Sequence, residues 1–114
     1  PMLAALDLAF RQSAGLHRVT TEARDLFRRP LLPDELDRFD AIVLDPPRAG
    51  AEAQCRELAR SAVPVIAYVS CNPVTFARDA RLLSGAGWHL DWVQVVDQFR
   101  WSPHIEMAAC FRRT

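Results

Sequence analysis

The chain has 114 residues, a formal net charge of zero, and a composition that is half hydrophobic and a quarter charged. That length supports one domain, or part of one, with a core that buries roughly two-thirds of the unfolded surface. Zero net charge argues against a protein held on nucleic acid by its overall field, and no apolar stretch approaches the roughly 20 residues of a membrane span.

In chain order, Leu3, Leu6, Leu8, Ala9 and Phe10 predict a first helix that stops near Gly15. Pro1-Met2-Leu3 opens it without a charged region or a small-residue cleavage site, so no signal peptide is expected. His17 to Thr21 reads as a short strand and Arg24 to Arg29 as a helical turn, broken by Pro30 and Pro33. Asp34-Glu35-Leu36 leads to the apolar run Ala41-Ile42-Val43-Leu44, of the fully buried type found in parallel sheets, which ends at Asp45-Pro46-Pro47. A helix over 51–62, a buried strand over 63–69, a helix over 74–84 stopped by Gly85 and Gly87, and a long strand over 88–96 follow. Ile105 to Phe111 is a final strand reached without room for a helix, which requires an antiparallel return.

Alternating strands and helices imply a layered α/β sheet in which ligands sit beyond the carboxyl ends of the parallel strands. Asp45 and Cys71 both lie at such ends, and neighbouring strands would turn them toward one crevice. Asp45 alone is compatible with an ordinary loop acid capping a turn. Cys71 precedes Asn72-Pro73, a favoured N-cap followed by a favoured first helical residue. A thiol just outside a helix N-terminus has its nucleophilic thiolate form favoured, although a lone cysteine there also fits a buried strand end. Glu106 interrupts an otherwise apolar strand. It is either an exposed strand end or a partly desolvated carboxylate suited to general base work. His104 offers a lesser partner for Cys71.

Three cysteines, Cys55, Cys71 and Cys110, without a two-residue spacing indicate neither a disulfide framework nor a zinc site, so no metal is expected and a reducing cytoplasm fits. All fourteen basic residues are Arg, and the pairs Arg28-Arg29 and Arg112-Arg113 read by default as solvated surface.

Asp45-Pro46-Pro47-Arg48-Ala49-Gly50, then Tyr68-Val69-Ser70-Cys71-Asn72-Pro73 with Thr75-Phe76-Ala77-Arg78-Asp79, then Asp97-Gln98-Phe99 and His104-Ile105-Glu106 resemble the carboxyl-terminal half of the S-adenosylmethionine-dependent RNA (uracil-5)-methyltransferases. The resemblance runs in the family's order over nearly the whole chain. It implies a partial Rossmann-like methyltransferase sheet, mostly parallel with an antiparallel C-terminal strand, lacking its first two strands. It further implies that Cys71 is the nucleophile that adds to carbon 6 of uracil and that Glu106 removes the carbon 5 proton. Asp45 matches the residue near cofactor and target base, and Asp25, at the end of a third strand region, matches the contact to the adenine side of S-adenosylmethionine. Arg48 and Asn72 match residues that shape the substrate pocket. The RNA, ribosomal or transfer, would present an extruded base.

Phe99-Arg100-Trp101-Ser102-Pro103-His104 departs from the family's Phe-Pro-His-Thr stretch, and no glycine-rich cofactor turn is present. The chain is therefore expected to be a single truncated catalytic domain, inactive by itself, with an exposed sheet edge inviting self-association. Two other classes stay open: an amino-group methyltransferase that needs no cysteine, and a noncatalytic RNA-binding module.

Overall fold

The apolar runs at 41–44 and 65–69 fold as adjacent parallel strands in a computed structural model of the chain, which describes residues 19–96 and 106–113. In order, the elements are α1 (Pro33–Leu36), β1 (Ala41–Leu44), α2 (Glu52–Leu58), β2 (Val65–Ser70), α3 (Pro73–Ser84), β3 (Trp88–Val96) and β4 (Glu106–Arg113). Among the described residues the strands form one sheet in the order β1-β2-β4-β3. β1 runs parallel to β2, while β4 is antiparallel to both β2 and β3. Three strands thus share one direction and the last enters between two of them. This is the Rossmann-like, mostly parallel α/β sheet with an antiparallel C-terminal strand that the sequence predicts. The antiparallel return is also as expected, but the hairpin argument places β4 only beside β3 and says nothing of its pairing with β2.

One face of the sheet carries the core. Ile66, Tyr68 and Ser70 of β2 are buried, and their register partners Phe111, Ala109 and Met107 of β4 are buried with them. Against this face α3 sets Phe76 and Leu83, and α2 sets Cys55 and Leu58. The Tyr68 and Phe76 rings meet edge to face with centroids 5.3 Å apart, the arrangement that ring quadrupoles favour. Trp88 closes one end of the core: its Nε1 donates to the Val63 carbonyl at 2.9 Å, and the Arg113 guanidinium lies over its ring at 3.7 Å.

Several boundaries differ from expectation. Val19 to Thr21 form no strand; Thr20 and Thr21 are exposed, and β propensity without a neighbouring edge to pair with does not make a strand. His17, Arg18, the first helix and the segment from Asp97 through Ile105, with His104, lie outside the described residues. α2 ends at Leu58 rather than Ala62, because Arg60 and Ser61 donate to the carbonyls three residues back and the Ser61 hydroxyl caps Leu58. β2 begins after Pro64, which has no N–H for the ladder; its carbonyl accepts from Arg113 N at 3.0 Å.

Cys55 and Tyr68 make this core sensitive to alkali. Burial pushes the Cys55 thiol far above its ordinary value of 9.0, and burial followed by the hydrogen-bonded Asp79 carboxylate does the same to the Tyr68 hydroxyl above 10.0. Each folded group keeps a proton that the unfolded chain releases. Their stabilisation is therefore whole below the unfolded values and is lost as pH rises above them, at roughly 1.4 kcal/mol per pH unit for each group. Urea midpoints are expected to fall between about pH 9 and 11, and less steeply in Tyr68→Phe; equal slopes in both proteins would contradict the assignment to Tyr68.

Candidate active site

Sheet register brings the sequence-predicted chemistry to one end. β1 and β2 pair from Ala41↔Val65 to Leu44↔Tyr68, so Asp45 and Cys71 both follow the carboxyl ends of neighbouring parallel strands. β4 runs the other way and starts at that end. Met107 pairs with Ser70, and one residue further along each strand stand Cys71 and Glu106. Strand alternation assigns Glu106 to the face opposite Met107. Cys71 and Glu106 are half-buried and Asp45 is exposed.

The turn holding Cys71 is closed on both sides. The Ser70 hydroxyl accepts from Asn72 N at 3.1 Å and donates to the Asn72 carbonyl at 3.0 Å. Asn72 is the N-cap of α3 in extended conformation; its Oδ1 accepts from Val74 N at 3.0 Å, with Pro73 opening the helix. This cap follows the pattern that the sequence predicts. Asn72 Nδ2 also donates to the Arg48 carbonyl at 2.9 Å, so its side chain ties the thiol turn to the segment after β1.

That segment is held by α3 over several peptide units. The Thr75 hydroxyl donates to the Arg48 carbonyl at 2.9 Å, the Arg78 guanidinium to the Ala49 carbonyl at 2.9 Å, and Ala51 N donates to Asp79 Oδ2 at 2.8 Å. Asp79 is fully buried and also accepts from the Tyr68 hydroxyl and from Arg78 Nε. Sequence reasoning met Asp79 only inside the family resemblance. A charged residue on the same buried stripe as Phe76 and Leu83 was the signal that could have marked it.

Gly50 makes the approach possible. Its φ is +79°, and an added Cβ would stand 2.6 Å from the Arg78 guanidinium and 2.9 Å from Asp79 Oδ2. Gly50→Ala is expected to cost about 1–3 kcal/mol through left-handed strain and displacement of these groups, read as a lowered urea midpoint.

Beside the end of β1 opens a cavity of about 340 Å³, whose lining includes Asp25, Phe27, Asp45, Pro46, Ala51 and Gln54. Asp45 lines it and Cys71 does not, so the crevice expected for both takes in only the carboxylate. Asp25 does not end a strand, contrary to expectation. It opens an exposed turn: its Oδ1 accepts from Phe27 N at 3.0 Å and its carbonyl from Arg29 N at 2.8 Å. A turn closed on itself needs no sheet partner, which explains the missing strand. Two side chains that sequence reasoning missed pin it. Arg24 donates to the Arg29 and Pro30 carbonyls and to Glu35, and buried Gln54 both donates to and accepts from the Leu31 backbone. Among the described residues no group of three His, Cys, Asp or Glu side chains is arranged to hold a metal ion, and no helix is long and apolar enough to cross a membrane.

An α/β sheet of this Rossmann-like kind places its ligands beyond the carboxyl ends of the parallel strands, the end at which Asp45 and Cys71 follow β1 and β2 and at which β4 begins. The chain belongs to the tRNA (uracil-5-)-methyltransferase family, whose model matches residues 6–114. It is 58% identical over 109 residues to an uncharacterized RNA methyltransferase of Rhizobium meliloti, a match covering 96% of this chain and 26% of that protein. It is 42% identical over 93 residues to the 23S rRNA (uracil(1939)-C(5))-methyltransferase RlmD of Chromohalobacter salexigens, covering 82% and 19% of the two chains. Among solved structures it resembles the Pyrococcus abyssi tRNA (uracil-54, C5)-methyltransferase in complex with S-adenosyl-L-homocysteine. That match has a TM-score of 0.57 and 42% identity, over 64% of this chain and 18% of that one. The chain thus spans about a quarter or less of the length of these curated relatives.

Proposed function

We propose that these residues form the thiol and base side, and part of the cofactor cavity, of an enzyme that methylates carbon 5 of uridine in RNA. The observation that supports this reading is the register that sets Cys71 and Glu106 one residue beyond the Ser70↔Met107 pair, at the end of the sheet where Asp45 follows β1. The activity is proposed for a chain of the relatives' length.

Carbon 5 of uracil is a weak nucleophile, and Cys71 answers that difficulty by covalent catalysis. Its thiolate forms a bond to carbon 6, and the electron pair of the 5,6 double bond passes into an enolate that makes carbon 5 nucleophilic. S-adenosylmethionine, when bound, would supply an electrophilic methyl group to carbon 5, the electron pair of the broken methyl–sulfur bond staying on sulfur in the departing thioether. Glu106 then takes the proton from carbon 5, the electron pair re-forms the double bond, and the Cys71 sulfur leaves as thiolate. Base and nucleophile must both reach one pyrimidine ring, and adjacent positions on paired strands suit that need. The base has to leave its stack to meet a half-buried thiol.

The residues present fit the cofactor. The cavity combines the Phe27 ring with the carboxylates Asp25 and Asp45, apolar surface with a few convergent polar groups. Asp25 would hold the adenine side and Asp45 the side nearer the reaction. The Arg48 side chain is exposed beside this region and available to RNA, while Asn72 shapes the pocket by holding the Arg48 carbonyl. The open edge of β1 among the described strands supports strand addition there by the rest of a longer chain or by a second copy.

The deciding experiment incubates the full-length protein carrying this segment with 5-fluorouracil RNA and S-adenosylmethionine. Mass spectrometry is expected to find an RNA adduct on Cys71 carrying the transferred methyl, because fluorine cannot leave as the proton does. Methyl transfer to ordinary RNA with no such adduct would favour amine methylation instead, and RNA binding without either would favour a noncatalytic module.

A further inference from the structure

We infer that Asp79 is a positioning residue: its buried carboxylate, with Arg78, Thr75 and Asn72 on the same helix, fixes the segment after β1 relative to the thiol turn. The catalytic readout of this inference rests on the proposed function; its structural readout does not.

A carboxylate with no exposed surface is costly unless fully paired. Packing alone gives no reason for one at this place, since Phe76 and Leu83 fill the same stripe of α3 with apolar groups. What a carboxylate does here that an apolar side chain cannot is accept Ala51 N at 2.8 Å while the Tyr68 hydroxyl and Arg78 Nε supply the other donors. The same Arg78 reaches the Ala49 carbonyl, and Thr75 and Asn72 reach the Arg48 carbonyl. Residues 48–51 are therefore gripped by one helix. The N-cap of that helix is bonded next to Cys71, and Tyr68, from the strand that delivers Cys71, donates to the same carboxylate. Asp45 and the thiol consequently move as one body, and the helix fixes their separation without touching a substrate.

The test uses the full-length protein with two variants, Asp79→Asn and Arg78→Gln. Both leave Asp45, Cys71 and Glu106 in place. Backbone hydrogen exchange at Gly50 and Ala51, whose amides bond the Pro47 carbonyl and Asp79, is expected to quicken by about tenfold or more in Asp79→Asn, while exchange in β2 and iodoacetamide alkylation of Cys71 stay within about twofold. The kcat for RNA methylation is expected to fall about 10–100-fold, the order of effect of a misplacement near 1 Å, with the KM for RNA little changed. Arg78→Gln, altered at a partly exposed side chain, should show the same pattern with a loss of about threefold or more, and it decides alone if Asp79→Asn does not fold. Unchanged exchange at Gly50 and Ala51, equal loss of protection in β2, or a kcat within about twofold of the parent would each overturn the inference. If the parent protein methylates no uridine, the proposed function fails and hydrogen exchange still judges the clamp.

Discussion

Cys71→Ala in the full-length protein is expected to abolish methyl transfer, by roughly four orders of magnitude or more, with little change in folding. The thiol stands one residue beyond the last paired residue of β2 and is half-buried. Removing it takes away one sulfur and leaves the Ser70–Asn72 turn, whose hydrogen bonds involve neither side of the deleted atom. The stability cost should stay under about 1 kcal/mol. In the proposed mechanism, without the carbon 6 bond there is no enolate to make carbon 5 nucleophilic. Single-turnover transfer from labelled S-adenosylmethionine to RNA, beside a thermal melt, checks both halves of the expectation. Substantial transfer by a well-folded Cys71→Ala protein would rule out the covalent route and point to an amino group as the acceptor.

Glu106→Gln should separate the two halves of the reaction. The amide keeps the shape of the carboxylate and loses its ability to take a proton, so addition and methyl transfer remain possible while release does not. Turnover is expected to fall by about 10²–10⁴, the usual contribution of a positioned base, and a methylated protein–RNA complex should accumulate on ordinary uridine RNA without any fluorinated analogue. Denaturing gel electrophoresis with labelled RNA would display it. Loss of turnover with no trapped complex would assign proton removal to another group and leave Glu106 as part of the β4 strand start. The trapped complex should also be lost in the double variant with Cys71→Ala, since the bond being trapped is the sulfur–carbon bond.

The sequence announced the strands better than their arrangement. Ala41–Leu44 and 65–69 were legible because uninterrupted apolar runs of that length suit a buried parallel strand, and the cap at Asn72-Pro73 because two residues with different physical reasons agree. The position of β4 was not legible: the pairing Ser70↔Met107 is a long-range fact that no local pattern encodes, although it is what brings Glu106 to Cys71. The strand expected at His17–Thr21 rested on β propensity, which is weak without a partner. Asp25 was expected at a strand end, and the structure corrects that placement, since it opens a turn. Asp79, Arg78 and Gln54 escaped a reading for reactive groups because each acts through a backbone atom of another segment.

The insertion of β4 between β2 and β3 has a consequence for biogenesis. As the chain leaves the ribosome, β2 and β3 emerge before the strand that separates them in the finished sheet. Until β4 follows, β2 has one unclaimed flank and β3 lacks its ladder partner among the described strands, while Trp92, Val93, Val95 and Val96, exposed even in the finished sheet, add apolar surface. Such half-built sheets invite strand addition from other nascent chains. Their closure waits on contacts between distant residues, which are slow to form. β4, made after both of its neighbours, closes the described sheet and at the same moment sets Glu106 at the end of β2 that Cys71 follows.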